Sequence, residues 1–512
     1  MKNSCAILLT LAVSIGAPLH AAQRRESRPD PLPGFDAQVA QAVKDWRAPG
    51  LAIAVVKDGA LVFSRGYGVR DLGRPEPIDT HTLFAIGSTT KAMTAAAIGM
   101  LVDEKKLDWD DPVTKHLPWL ALKDAALTRE VTVRDLLTHR AGLPNADFLW
   151  YGQSNSPRTI LDRLRLVEPS YPARSSFIYQ NIMYAAAGAV IESVSGLPWE
   201  RFIESRIFRP LGMTDSISTA AALGSHENRA EPHFMIDGTV ARIENVSVDG
   251  VAPAGSIWSS VDDMSRWMRW LLAGGVTPAP ESRRLLSEAT LNELFQPQTM
   301  VTRAAFYPTA RITKPHWTTY GLGWFQQDYA GEKVDFHTGS IDGMVAICGL
   351  IRSEGIGVYI LSNLDHAELR HALMLTVFDR LLGRAPRDWS SEFRALYAKI
   401  EKEGAEEGAK EEGLRTTGTH PSLPLTAYAG RYSEPLFGDV DVSMDRDLEH
   451  LRARYGDAFT GRLEHWNFDT FRARWDAKWR GHSSASFILD PNGKPAELRL
   501  MGATFRRLEG AR

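Results

Sequence analysis

Ser88 and Lys91 stand three residues apart in Phe84-Ala85-Ile86-Gly87-Ser88-Thr89-Thr90-Lys91-Ala92-Met93-Thr94, where a small-residue turn runs into an alanine-rich, helix-favouring stretch. That spacing predicts a helix with the serine at its N-terminus and the amine one turn later on the same face. A serine hydroxyl is a poor nucleophile at neutral pH. It needs a base within hydrogen-bond reach and donors for the oxyanion that its attack on a carbonyl creates. Lys91 supplies the first, and backbone N–H groups at the helix start supply part of the second. Ser-x-x-Lys alone arises by chance roughly once or twice in a chain this long, most often as a helix cap and an exposed lysine, so the pair needs companions. Tyr179-Gln180-Asn181 is a candidate, a polar pair set just before an alanine-rich helix predicted from Ala185 to Val194. A phenol near an ammonium is a plausible proton shuttle, because neighbouring positive charge lowers its pKa; a core tyrosine beside a turn is the plainer alternative.

These groups need a rigid frame. An amphipathic helix is expected over Phe35 to Trp46. Leu51–Val56 and Leu61–Ser64, split by Lys57-Asp58-Gly59, read as a β-hairpin. From Lys105 to Leu137 the pattern is helical with breaks, ended by Gly142 and Pro144, and the aromatic loop beyond it, Phe148-Leu149-Trp150-Tyr151, either lines a cleft or packs back on the core. Val261 to Leu272 reads as a helix capped by Ser260. A strand from Val334 to Ser340, a turn at Ile341-Asp342-Gly343, a strand containing Cys348 and another over Ile356–Leu361 would complete an antiparallel sheet with helices packed on it, an α+β fold with a helical lobe. Trp389, Phe393, Leu396, Tyr397 and Ile400 then recur at helical spacing before a charged, Pro-containing stretch, so 389–424 reads as a helical, charged linker between a domain at 30–388 and a small all-β domain at 425–512.

The 512 residues carry 59 Lys and Arg against 62 Asp and Glu, a net charge of -3, with no basic surplus to neutralise phosphates, so a nucleic-acid partner is not expected. Met1-Lys2, the apolar run Cys5–Val13 and the small residues Ala21-Ala22 read as a signal peptide over 1–22. The run is too short for a comfortable membrane span, so the expectation is a secreted or periplasmic protein without a stable membrane anchor. Removal of the leader leaves Cys348 alone, with no intramolecular disulfide, and its apolar surroundings make it a buried small hydrophobe.

Ser88-x-x-Lys91, then Tyr179-x-Asn181, then His337-Thr338-Gly339 in this order resembles the active-site triplet of the penicillin-recognising serine hydrolases, the superfamily of class C β-lactamases, D-Ala-D-Ala carboxypeptidases, D-aminopeptidases and related esterases. Leu136–Pro144, Ile207–Met213 and Tyr320–Trp324 also look like this family, and the resemblance runs from about Phe35 to Gly383. It implies a serine β-lactamase-like α+β fold and an acyl-enzyme on Ser88, with Lys91 and Tyr179 as a coupled base and proton carrier. It also implies an oxyanion site between the N–H groups of Ser88 and Ser340, Asn181 holding Lys91 and the acyl side of the substrate, and His337, Thr338 and Gly339 forming the substrate-binding strand. The chain from about Leu425 resembles a small lipocalin-like β-barrel, through Leu463-Glu464-His465-Trp466 and Asp469-Thr470-Phe471.

His337 departs from the Lys-Thr-Gly of the β-lactamases and carboxypeptidases. A histidine is largely neutral at pH 7 and ill-suited to a substrate carboxylate; His-x-Gly versions occur among the family's peptidases and esterases, so the resemblance implies amide or ester hydrolysis of peptides, including those with D- or other unusual residues. Trp150, Tyr151 and Trp317 are candidates to line the cleft and favour apolar side chains. A β-lactamase or an esterase remains an alternative on the same fold, and a slowly deacylating penicillin-binding sensor or a ligand-binding protein an alternative of a different class. No cofactor or metal is expected: no His-Glu-x-x-His is present, His366 and His371 are poorly spaced for one helix face, and no Gly-x-Ser-x-Gly elbow occurs.

Overall fold

The structure, a computed structural model, describes residues 30–446 and 449–508; the leader expected at 1–22 lies outside the described residues. Leu51 to Val56 and Met344 to Ile351 are apolar almost without interruption because helices cover both faces of the sheet they enter. In the strand Met344–Ile351, Met344, Ala346, Cys348 and Leu350 belong to one core, while Val345, Ile347 and Ile351 belong to a second core on the opposite face. Successive side chains of a strand point to opposite faces, so one apolar run feeds two cores.

The sheet has eight antiparallel strands in the spatial order Ala60–Gly68, Gly50–Lys57, Ile356–Ser362, Met344–Ile351, Glu332–Ile341, Phe325–Tyr329, Thr318–Tyr320, Thr299–Met300. The first two strands form the expected hairpin, with Lys57 opposite Ala60. Its two loop residues, Asp58 at φ 51° and Gly59 at φ 74°, both take the left-handed conformation that a tight hairpin turn demands.

On one face, the turn Gly87–Thr89 lies across Glu332–Ile341 and Met344–Ile351 and continues as the helix Thr90–Asp103, which runs into a lobe with the helix Asn181–Ser195. Every residue from Thr90 to Leu101 is buried, which explains four alanines and a glycine in that stretch: small side chains let neighbours approach on all sides. The helix Val261–Leu272, capped as expected by Ser260, covers Gly50–Lys57 and Ile356–Ser362 on the same face. The opposite face carries Phe35–Asp45 and Leu369–Leu381.

Residues 389–413 form one helix, running through the charged stretch rather than ending before it. Trp389, Phe393 and Leu396 dock it on Leu369–Leu381. The exposed second half is laced by pairs such as Lys399–Glu403 and Lys402–Glu406, each at 3.8 Å and four residues apart, and Glu412 meets Arg472 of the following domain.

Eight strands from Gly430–Glu434 to Ala503–Arg507 then close into a barrel, the last strand pairing with the first through Tyr432 opposite Arg507. Its interior is filled by packed rings, among them Tyr428 on Phe487 at 4.9 Å and Phe471 on Phe487 at 5.6 Å between centroids. A barrel filled this way is a core and not a ligand cavity.

Candidate active site

Ser88 sits in the Gly87–Thr89 turn and Lys91 in the first turn of the helix behind it, so three-residue spacing brings the two side chains together as expected. Lys91 Nζ lies 3.0 Å from Ser88 Oγ, 2.7 Å from Asn181 Oδ1 and 2.9 Å from the Ala254 carbonyl oxygen, and Lys91 is fully buried. Burial pushes the Lys91 pKa down to about 7, against the opposing pull of Asp147. Asn181 is the first residue of its helix. Its amide nitrogen donates to both carboxylate oxygens of Asp147 at 3.2 Å, which fixes Oδ1 toward Lys91. Neither Asn181 Oδ1 nor the Ala254 carbonyl can give a proton. A neutral Lys91 therefore spends its two N–H bonds on those oxygens and turns its lone pair to the Ser88 hydroxyl.

Tyr179 is half-buried beside this pair and lines the same cleft as Ser88. Its ring centroid lies 4.8 Å from Lys91 Nζ and 4.3 Å from the ring of His139. The expectation that a nearby cation would lower its pKa is overturned: burial dominates and raises it well above 10, with the Ser88 hydroxyl as the leading opposing influence. The phenol keeps its proton at neutral pH.

The two glycines beside the serine are dictated by how closely two backbones cross. A Cβ on Gly339 would fall 1.8 Å from the Ile86 carbonyl oxygen and 3.1 Å from the Ser88 nitrogen, and one on Gly87 would fall 2.6 Å from the Ser340 nitrogen. Gly87 also sits at φ 52°, in the left-handed region. The peptide nitrogens of Ser88 and Ser340 are thereby brought to one place. Among the described residues the strand Glu332–Ile341 has no strand partner on its outer edge beyond Phe336, and Thr338 and Ser340 face a cleft of about 680 Å³ lined also by Ser88, Tyr179 and Asn181.

His337 does not line that cleft, which corrects its expected place on the substrate-binding surface. It is buried on the face of the strand opposite Thr338, its ring 6.2 Å from that of Tyr179, with Nδ1 2.6 Å from the Thr338 carbonyl and Nε2 3.0 Å from the Tyr320 hydroxyl. Because a carbonyl only accepts, Nδ1 carries the proton and Nε2 receives one from Tyr320. Burial and the Lys91 charge hold its pKa down at about 3, so it is neutral.

The aromatic loop lines the cleft through Phe148, Trp150 and Tyr151, and Phe306, Tyr307 and Phe325 face it elsewhere. Trp317 does not: it borders a separate cavity with Phe295, Met300 and Arg352. Asp147 is the one charged side chain among the described residues lining the cleft. The barrel reaches the cleft indirectly. Asp342, two residues beyond Ser340, accepts from the Tyr151 hydroxyl at 2.6 Å and from Trp479 Nε1 at 3.1 Å and pairs with Arg480 at 3.3 Å, so both rims rest on the C-terminal domain.

Sequence reasoning missed three contributors. Asp147 is flagged only by Asn145-x-Asp147 in a loop, and the Ala254 carbonyl has no side-chain signal at all. Arg370 bonds the Gly339 carbonyl from behind; its trace in the sequence is a polar trio, Glu368, Arg370 and His371, just before the apolar run Ala372–Leu375. Among the described residues no group of three or more His, Cys, Asp or Glu could hold a metal ion, and no helix is long and apolar enough to cross a membrane.

If the neutral Lys91 amine accepts the Ser88 proton, kcat/KM should rise with pH along a limb centred near 7. Asp147→Asn removes a charge that holds the ammonium up, so the limb should move to lower pH. Profiles on a p-nitrophenyl ester across roughly pH 5 to 9 test this, and an unmoved limb would assign the titration to another group.

The profile of the Beta-lactamase family matches residues 35–377, and that of a domain of unknown function, DUF3471, matches 414–512. An unguisins hydrolase, ungD', of Aspergillus campestris is 29% identical over 459 residues, covering 85% of this chain and 82% of the relative. Among solved structures, an octameric penicillin-binding protein homologue from Pyrococcus abyssi superposes with a TM-score of 0.60 at 23% identity, covering 92% of this chain and 98% of its own. The D-amino acid amidase of Ochrobactrum anthropi SV3 gives 0.56 at 23% identity, covering 68% of this chain and 97% of its own. Two-thirds of the sequence matches one profile, and the fold agrees with these structures: the chain belongs to the Beta-lactamase family, among the serine hydrolases related to β-lactamases and penicillin-binding proteins.

Proposed function

We propose that this protein is an exported serine hydrolase that cleaves amide or ester bonds in peptides through an acyl-enzyme on Ser88. The observation that carries the reading is the set of oxygens around Lys91: two that only accept, and the serine hydroxyl. In acylation the Ser88 oxygen bonds the substrate carbonyl carbon while its proton passes to Lys91. The oxyanion lies between the N–H groups of Ser88 and Ser340. The carbon–nitrogen or carbon–oxygen bond then breaks, and Tyr179, protonated and beside Lys91 and Ser88 in the cleft, gives its proton to the leaving group and takes one from Lys91. Water reverses the sequence and releases the acid. The leader-like N-terminus supports export, and the relative named as an unguisins hydrolase supports hydrolysis.

The cleft also argues for the kind of substrate. No lysine, arginine or histidine is among its described lining residues, so a carboxylate meets no cation there, and Asp147 repels it. Neutral peptide amides and esters with apolar side chains fit the aromatic walls. On this reading peptide anilides and p-nitrophenyl esters should outpace nitrocefin by about tenfold or more in kcat/KM, a difference of about 1.4 kcal/mol.

The test is intact-mass spectrometry after brief exposure to a fluorescent penicillin, alongside turnover of those substrates. A Ser88 adduct with faster peptide or ester turnover supports the proposal. A long-lived adduct without turnover would make the protein a sensor, and fast nitrocefin hydrolysis would make it a β-lactamase.

A further inference from the structure

Arg370 is almost fully buried in the first turn of the helix Leu369–Leu381, on the face of the sheet opposite the Gly87–Thr89 turn, the face toward which the Ser340 side chain points. Its Nη1 reaches the Gly339 carbonyl at 2.6 Å, the Ser340 hydroxyl at 3.0 Å and the Ala346 carbonyl at 3.2 Å. Its remaining nitrogens are held by Glu368, Nη2 to Oε1 at 2.9 Å and Nε to Oε2 at 3.3 Å, and Glu368 in turn receives His371 Nδ1 at 2.7 Å. A buried guanidinium without substrate contact needs a reason, because taking two charges out of water often costs more than their attraction returns.

The peptide between Gly339 and Ser340 supplies one. A trans peptide is planar, so its C=O and N–H point in opposite directions. Whatever fixes the Gly339 carbonyl also aims the Ser340 N–H. We propose that Arg370 is a positioning residue for the oxyanion site, pinning the Gly339 carbonyl from behind so that the Ser340 N–H points into the cleft. The inference rests on the reading of Ser88 as the nucleophile. Glu368 and His371 keep the guanidinium in register, and the positive charge behind the carbonyl aligns with the peptide dipole, strengthening the donor that faces the reacting carbonyl. Preorganised donors of this kind are among the largest contributions to acyl transfer.

The experiment compares wild type with Arg370→Lys, which keeps the charge and loses the fork, and with Glu368→Gln/Arg370→Gln, which removes both charges together so that neither is left buried alone. Three quantities are read on p-nitrophenyl ester: kcat, KM and the infrared carbonyl stretch of the acyl-enzyme. Weakened aim lowers kcat by about 10- to 100-fold, part of what removal of a whole donor costs, leaves KM within about twofold, and moves the stretch to higher frequency. A merely structural residue would not move the stretch. Variants that fold and acylate with unchanged kcat and carbonyl frequency would overturn the proposal, as would loss of the folded protein in both. Absence of any Ser88 adduct in the wild type would instead overturn the nucleophile reading itself, and the inference with it.

Discussion

Ser88→Ala is expected to lower kcat by about 10⁵- to 10⁶-fold while leaving the fold in place. The magnitude follows from how such groups work as a unit: without the hydroxyl no acyl-enzyme forms, and the remaining rate comes only from bound water near the two peptide N–H groups. The fold should tolerate the change because Lys91 keeps the Asn181 and Ala254 oxygens and loses a single partner. One hydrogen bond lost at a half-buried position is worth about 1 kcal/mol. Intact mass after a covalent probe, turnover and thermal unfolding measured on the same preparation decide it. A variant retaining more than about one percent of wild-type turnover would remove Ser88 from the mechanism.

Gly339→Ala should be the second most damaging single change, although it adds one methyl group far smaller than the residues around it. The new carbon would lie 1.8 Å from the Ile86 carbonyl oxygen, and contacts below 3.0 Å are essentially not seen, so the strand and the nucleophile turn must separate by more than about 1 Å. Backbone atoms, unlike the tip of a flexible side chain, cannot swing aside. The same displacement parts the Ser88 and Ser340 nitrogens, and misplacement of about 1 Å in a reacting geometry costs on the order of a hundredfold in rate. Overpacking adds about 1–3 kcal/mol of destabilisation. The expected result is a folded protein with a lowered melting temperature, kcat down at least about a hundredfold and slow acylation by the covalent probe. Wild-type kcat in this variant would show that the two backbones are not held together in the working enzyme.

The pairing of Ser88 with Lys91 was legible because helix geometry is local: residues three apart on one helix are neighbours whatever the rest of the chain does. The Asp58-Gly59 turn was legible for a similar reason, since few residue pairs accept positive φ twice in succession. What failed was anything decided by facing. His337 and Thr338 are adjacent in sequence, yet the pleat sends them to opposite faces of the strand: His337 is buried on the face that carries the lobe, opposite Cys348, and Thr338 reaches the cleft. Trp317 was assigned to the cleft as an aromatic residue of the right type, but its place beyond Phe325 in the sheet puts it elsewhere. The helix Leu369–Leu381 is buried along almost its whole length, so it shows little of the one-sided apolar stripe that reveals a surface helix, and Arg370 went unnoticed with it. The continuation of the helix from Trp389 to Gly413 through glycines and charges was likewise hidden, because its support comes from neighbouring ion pairs and from docking at both ends.

The sheet order has a consequence for when the protein becomes reactive. Leu51 lies opposite Ser362, and Ile86 waits for Gly339, so the first strand and the nucleophile turn both depend on chain made hundreds of residues later. A ribosome delivering the chain from its N-terminus releases the serine and lysine early, exposed and without their cradle. An amine in water keeps its ordinary affinity for protons and cannot act as a base near neutrality. On the proposed mechanism the chemistry is therefore silent throughout synthesis and switches on only as the last strands of the sheet close.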